Sequence, residues 1–211
     1  VLLNSPDPDA KRAAERVKYM WEIEGKLGDS AKAMLDHMAM MHHDQQEPEK
    51  DYLAQEKSPE PKLESDTMVI HLQTLKEQMK YDRKAFAVAP SMKVKVVFTN
   101  PDAMDHNFVI VQPGSSAQVA MAAMMLGADG IKKNWIPKSE KILVASNMLS
   151  MGNTETIEFT APDKSGEYDY ICTYPGHYVL MHGVMHVVAE PVKWMADNKD
   201  VMEATGKSAV P

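Results

Sequence analysis

The chain has 211 residues, is 44% apolar and carries a net charge of −7. It shows no basic stripe and no run of 18 or more apolar residues, which excludes nucleic acid as a partner and a transmembrane helix. The acidity is local: residues 1–66 hold 9 Lys/Arg against 15 Asp/Glu, which leaves 14 against 15 for residues 67–211.

Residues 1–43 read as a helical segment. Ser5-Pro6-Asp7-Pro8-Asp9 supplies cap and first-turn chemistry, and Ala13, Ala14, Val17, Met20, Trp21 and Leu27 then recur at spacings of three to four, up to a stop at Gly28. Asp29 or Ser30 caps a second helix whose apolar positions are Ala31, Met34, Leu35, Met38 and Met41. Two short helices cannot bury such faces alone, so they pack on each other, on the following domain or on further sequence. Leu2 to Pro8 followed by an Ala-rich helix resembles one unit of a HEAT repeat, and the start at Val1 without a basic and apolar leader points to a removed signal or a longer parent chain. His37, Met38, Met41, His42 and His43 end the segment. Thioether and imidazole on one helix face suit cuprous copper, but the same residues continue the apolar stripe and cap the helix, and packing is the reading adopted.

Residues 44–66 hold eight acids, three lysines and Pro48, Pro59 and Pro61, the composition of a solvated linker. Beyond Asp66 the period changes to two. Met68 to Leu72, Lys84 to Val88 and Lys93 to Asn100 alternate as strands, Pro101 to Asp105 breaks the pattern, and His106 to Val111 opens the next strand. A β-domain over 67–190 and a tail over 191–211, with a short helix around Trp194, complete the chain.

The densest chemistry lies in Cys172-Thr173-Tyr174-Pro175-Gly176-His177-Tyr178-Val179-Leu180-Met181, which holds the single cysteine of the chain. Given that cysteine, 8 His and 18 Met in 211 residues put His at +5 and Met at +9 together by chance in about 0.3 per cent of cases. Tyr168 to Cys172 alternates as a strand that ends on the thiol, Pro175-Gly176 turns the chain, and Gly183 to Val188 is the return strand. A thiolate, an imidazole and a thioether, completed by a second imidazole, make the trigonal His₂Cys site with a weak axial Met that copper takes in electron-transfer centres. His106, at a strand mouth where backbone on both sides can hold it, is the candidate second imidazole. The predicted metal ligands are therefore His106, Cys172, His177 and Met181.

Asp105-His106-Asn107-Phe108 together with Cys172 to His177 and Met181 resembles the copper site of azurin and auracyanin in the cupredoxin family, over about residues 67–190. The resemblance extends to Ser146 to Phe159, similar to a strand-turn-strand, and to the Ala/Met-rich stretch 117–127, similar to a helical flap in which Met121, Met124 and Met125 pack. It implies a mainly β fold, a Greek-key β-sandwich with a short helical flap, here preceded by the helical N-terminal segment. It further implies that the amides of Asn107 and Tyr174 face the thiolate, that the Asn107 side chain ties the two ligand loops together, and that His177 shows a ring edge at the surface beside Met104, Tyr174 and Val179. Two departures stand out. One cysteine cannot form the disulfide of azurins, and Asp105 replaces the glycine that precedes the first histidine ligand, where only glycine visits positive φ freely.

The expected function is electron transfer by one type 1 copper ion, with zinc as a possible substitute and a cytochrome or a fused or docked oxidoreductase as redox partner. The resemblance also implies a periplasmic or otherwise extracytoplasmic location. No His-x-His pair is present for a catalytic copper cluster and no second cysteine for a binuclear one, so an enzyme is not expected. A cuprous carrier or storage protein, using the Met and His groups, is the alternative.

Overall fold

A computed structural model of the protein describes residues 55–203. The helices and the Met/His cluster read over residues 1–43, the first part of the acidic segment and the last eight residues of the tail lie outside the described residues.

Two five-stranded sheets face each other across one core. The first runs in the order β1 (Lys62–Glu64), β2 (Thr67–Leu75), β5 (Lys93–Thr99), β8 (Thr154–Thr160), with β3 (Lys80–Tyr81) also paired to β2. The second runs β4 (Ala85–Val88), β10 (His182–Val187), β9 (Gly166–Ile171), β6 (Val109–Val111), β7 (Ile142–Ala145). The β2/β5 and β4/β10 pairs are parallel and the others antiparallel, because the chain crosses repeatedly between the sheets in the Greek-key manner. The mainly β expectation is met. Its physical basis is the period of two: Met68, Ile70 and Leu72 on β2 and Val94, Val96 and Phe98 on β5 all turn inward and are buried.

From the second sheet Phe86, Phe108, Tyr170 and Met185 enter the same core. Tyr81, Phe98, Phe108 and Tyr170 meet edge-on or tilted at centroid distances of 5.3–6.4 Å, contacts that contribute about 0.5–1.5 kcal/mol each beyond burial. Both phenols find partners. Tyr81 donates to the Asn107 carbonyl at 2.6 Å and Tyr170 to the Arg83 carbonyl at 2.6 Å, so the aromatic core also fixes the backbone beside His106.

A helix, α1 (Ser116–Met124), follows β6 as the flap, tied to β9 by a hydrogen bond from the Ser116 hydroxyl to the Asp169 carboxylate. It buries Val119, Ala120, Met121 and Ala123 and leaves Met125 exposed just after its end. The tail forms α2 (Pro191–Asp197) and α3 (Lys199–Met202), with Met195 and Met202 in the core and Trp194 stacked on His186 at 4.2 Å.

The strand β1 falls within the acidic segment that composition assigns to the linker. Residues 55–60 are also bound to the sandwich: Arg83, 4% exposed, donates to the carbonyls of His71, Ser58 and Pro59, and Gln55 donates to the Thr74 carbonyl. A guanidinium, with five donors in a planar fork, saturates several carbonyls at once.

Gly183 lies opposite Tyr170 in the β9/β10 pair, and a Cβ there would stand 2.1 Å from the phenol ring. Gly183→Ala therefore displaces a core aromatic and is expected to lower the unfolding free energy by about 1–3 kcal/mol, read by chemical denaturation of the metal-free protein.

Candidate metal centre

The loop from Cys172 to Met181 is a tight hairpin closed by its own backbone. Cys172 directly follows β9, Met181 directly precedes β10, and the Cys172 amide donates to the Met181 carbonyl at 3.1 Å. Between them Gly176 takes a left-handed φ of 88°, which glycine adopts without strain, and this releases His177 into a single 3₁₀ turn over His177–Val179. The turn is fixed by the His177 amide on the Tyr174 carbonyl at 3.0 Å and by the Met181 amide on the His177 carbonyl at 2.7 Å. Met181 is fully buried in the core cluster.

His106 comes from the connection between β5 and β6. It lies three residues before β6, in a two-residue bridge with Leu149: each amide donates to the other's carbonyl, at 3.1 and 2.8 Å. Leu149 belongs to the stretch at 146–159 similar to a strand-turn-strand, of which 154–159 is strand and 146–153 is loop.

Asn107 joins the segments that carry His106 and Cys172. Its Oδ1 accepts from the Thr173 amide at 2.8 Å, while its Nδ2 donates to the Thr173 hydroxyl at 2.7 Å and to the Asn134 carbonyl at 2.9 Å. The tie expected from the resemblance is present. Its consequence is geometric, since Thr173 follows Cys172 and Asn107 follows His106.

The structure brings His106, Cys172 and His177 together as the metal-capable cluster among the described residues, all buried. The Cys172 Sγ is 3.6 Å from His177 Nδ1 and 3.9 Å from His106 Nδ1, and the two Nδ1 atoms are 3.2 Å apart. A trigonal ion at about 2.3 Å from sulfur and about 2.0 Å from nitrogen would place S···N near about 3.7 Å and N···N near about 3.5 Å. The three atoms match that triangle within a few tenths of an ångström. Two imidazoles and a thiol turned on one point, away from water, are a donor set that fits a metal.

The environment agrees. Burial pushes the Cys172 thiol up to about 12, against the pull of the backbone amides of Asn107 and Tyr174, which point at the sulfur as the resemblance implies. Burial lowers His177 to about 4, with His106 adding to the shift, and it lowers His106 as well, where the hydrogen bond to Asp102 opposes it. The three donor groups are thus neutral: two imidazoles and one thiol.

Three features differ from the sequence reading or were missed by it. His177 is only 3% exposed, so little of its ring reaches the surface. Tyr174 lies over it at 4.6 Å and Trp135 meets Tyr174 edge-on at 5.8 Å, from a loop in which Asn134 and Trp135 both take positive φ. Nothing local marked Trp135, which arrives from the segment after the flap. Asp102, four residues before His106, is not singled out by the sequence pattern. Its carboxylate is 2.8 Å from His106 Nε2, and an acid at that spacing after Asn100-Pro101 was the available signal. Asp105 is not among the positive-φ residues, so the position filled by glycine in azurins has ordinary backbone here. Of the expected surface patch, Met104 is exposed, and Tyr174 and Val179 are half-buried.

Comparison with known proteins follows the same residues. A profile described as "Copper binding proteins, plastocyanin/azurin family" matches residues 68–188. Auracyanin-A of Chloroflexus aurantiacus is 35% identical over 126 residues, covering 58% of this chain and 76% of auracyanin-A. Azurin of Pseudomonas fluorescens biotype C is 27% identical over 118 residues, 52% of this chain and 90% of that protein. The crystal structure of dithionite-reduced auracyanin from the photosynthetic bacterium Roseiflexus castenholzii superposes with a TM-score of 0.52 at 37% identity, covering 57% of this chain and 96% of that one.

A thiol held protonated by burial must lose its proton to a metal, whereas the two histidines are already neutral. Between about pH 7 and about 9, inside the window bounded by the lowered histidines and the raised thiol, binding one Zn²⁺ or Cu⁺ is expected to release one proton and to strengthen about tenfold per pH unit. A pH-stat titration with competing chelator measures both.

Proposed function

The chain belongs to the plastocyanin/azurin family of copper-binding proteins, and from that premise we propose that it carries single electrons through one type 1 copper ion that His106, Cys172, His177 and Met181 would hold. The observation that carries this reading is the spacing of the three donor atoms, which matches a trigonal centre while every ligand is tied into backbone hydrogen bonds.

When bound, copper supplies a one-electron couple between its cuprous and cupric states. The protein's part is to keep the ligands still. Asn107 and Thr173 lock one loop to the other, the 3₁₀ turn anchors His177 and Met181 together, and the bridge to Leu149 holds the His106 backbone. A clamped site rearranges little when its charge changes, and small reorganisation favours rapid electron transfer. The amides of Asn107 and Tyr174 withdraw density from the sulfur and set how tightly it holds the oxidised ion. A buried, closed centre of this kind suits a resident ion better than a cargo ion, which favours an electron carrier over a cuprous carrier and over an enzyme.

The electron's path to a partner runs through His177 and its cover. Tyr174 packs against the imidazole and meets Trp135 in turn, and Met104 is exposed close in sequence to His106, so docking is expected through these apolar side chains. A cytochrome or an attached oxidoreductase is the class of partner this suits, in an extracytoplasmic compartment.

Visible spectroscopy tests the proposal. Adding Cu²⁺ is expected to give an intense blue absorption that Cys172→Ser abolishes, and a colourless protein that binds only Cu⁺ would favour the carrier reading. Met181→Leu is expected to keep the colour and raise the reduction potential, measured by redox titration, because the axial thioether stabilises the oxidised ion. A fall in potential or loss of metal would remove Met181 from the axial position.

A further inference from the structure

His106 is held on its distal nitrogen by a carboxylate, and that carboxylate is itself built into the fold. Asp102 is 2% exposed. Its Oδ1 accepts from the amides of Glu77 at 3.0 Å and Ala103 at 2.8 Å, and its Oδ2 lies 2.8 Å from His106 Nε2. Its own amide donates to Asn100 Oδ1 at 3.0 Å and to the Thr74 hydroxyl at 3.3 Å. Thr74 and Asn100 are fully buried and bonded to each other at 2.7 Å, and Asn100 Nδ2 reaches the carbonyls of Met104 and Leu149, each at 2.7 Å. The ends of β2 and β5, the Asp102 loop and the Leu149 loop are thereby stitched into one polar block under His106.

Two consequences follow from acceptor chemistry alone. A carboxylate that already takes two amide donors can only accept from the imidazole, so Nε2 carries the proton and Nδ1 presents its lone pair toward Cys172 and His177. The anionic charge is also shielded from water on the side of the centre, where it favours the more positive state of a bound ion. Among the described residues His106, and not His177, has a carboxylate in this position.

We propose that Asp102 is a positioning residue of the metal centre: it locks His106 in the Nε2–H tautomer and, through its buried charge, lowers the reduction potential. This rests on the electron-transfer reading only for the second half. In the redox step one electron enters or leaves the ion, exchanged with a one-electron protein partner, and the Nε2 proton stays on His106 throughout.

Asp102→Asn is the discriminating variant because it keeps the shape and removes the charge. The single amide oxygen is required by the amides of Glu77 and Ala103, which leaves the NH₂ facing His106. Two donors cannot face each other, so the neutral ring turns to the Nδ1–H tautomer, whose proton blocks the ligand position. Three measurements on the full chain read this out. Nitrogen-15 spectra of the metal-free proteins are expected to show Nε2–H for His106 in the parent and Nδ1–H in the variant. Zn²⁺ affinity by chelator competition is expected to fall at least tenfold, within the range that lost partners of ligating histidines cause. In the copper-loaded variant the Cu(II)/Cu(I) balance is expected to move at least tenfold toward Cu(I), a rise of about 59 mV for one electron.

An unchanged tautomer with unchanged Zn²⁺ affinity overturns the positioning role, and a potential equal to or below the parent's overturns the charge role. If the parent takes no copper, the electron-transfer reading fails on its own, while the tautomer and Zn²⁺ results still decide the positioning role. Asp102→Ser, shorter and uncharged, covers the case of a misfolded Asn variant: its hydroxyl does not reach His106, and an affinity equal to the parent's would again overturn the proposal.

Discussion

The paired hydrogen bonds between the Asn107 side chain and Thr173 are the constraint on which the centre depends. His106 lies immediately before Asn107 and Cys172 immediately before Thr173, on segments 66 positions apart in the chain. A primary amide can accept and donate at once, so a single side chain fixes both the distance and the register of the two loops. The Asn107 carbonyl is in turn held by Tyr81 from the aromatic core. Packing of the two sheets is thus passed to the donor triangle through one residue.

Around that tie the fold supplies a low-dielectric pocket, and the electrostatics follow from burial. Desolvation disfavours charge on the thiol and on both imidazoles, which keeps the donors neutral until a cation arrives. The groups that favour charge are placed with care: two amides aimed at the sulfur and, in our proposal, one carboxylate behind His106. The asymmetry between the histidines is notable in physical terms. His106 is backed by a hydrogen-bonded polar block inside the protein, whereas His177 packs against Tyr174, which in turn meets Trp135.

Much of the architecture is legible without coordinates because strands with one buried face must alternate. Met68, Ile70 and Leu72 announced β2, and Val94, Val96 and Phe98 announced β5. The ligand loop was legible because its residues are close in sequence, and His106 because it interrupts a strand pattern. Other features were not. The strand β1 sits in a segment whose composition is that of a linker, since Lys62–Glu64 are exposed on every residue and are strand only because the edge of β2 offers backbone partners. Trp135 meets Tyr174, the ring packed against His177, from a loop with positive φ at Asn134 and Trp135 that no periodicity encodes.

The sequence by itself determined which atoms can ligate, because thiol, imidazole and thioether chemistry is a property of residue type, and the hairpin from Cys172 to Met181 brings its donors together by local turns. Tertiary structure alone decided the rest. The third donor, His106, reaches the triangle across 66 positions through Asn107 and Thr173, and its orientation depends on Asp102, whose carboxylate is fixed by backbone from the end of β2 and the loop after β5. Distance, tautomer and solvent exclusion are relations between segments, and only packing of the two sheets sets them.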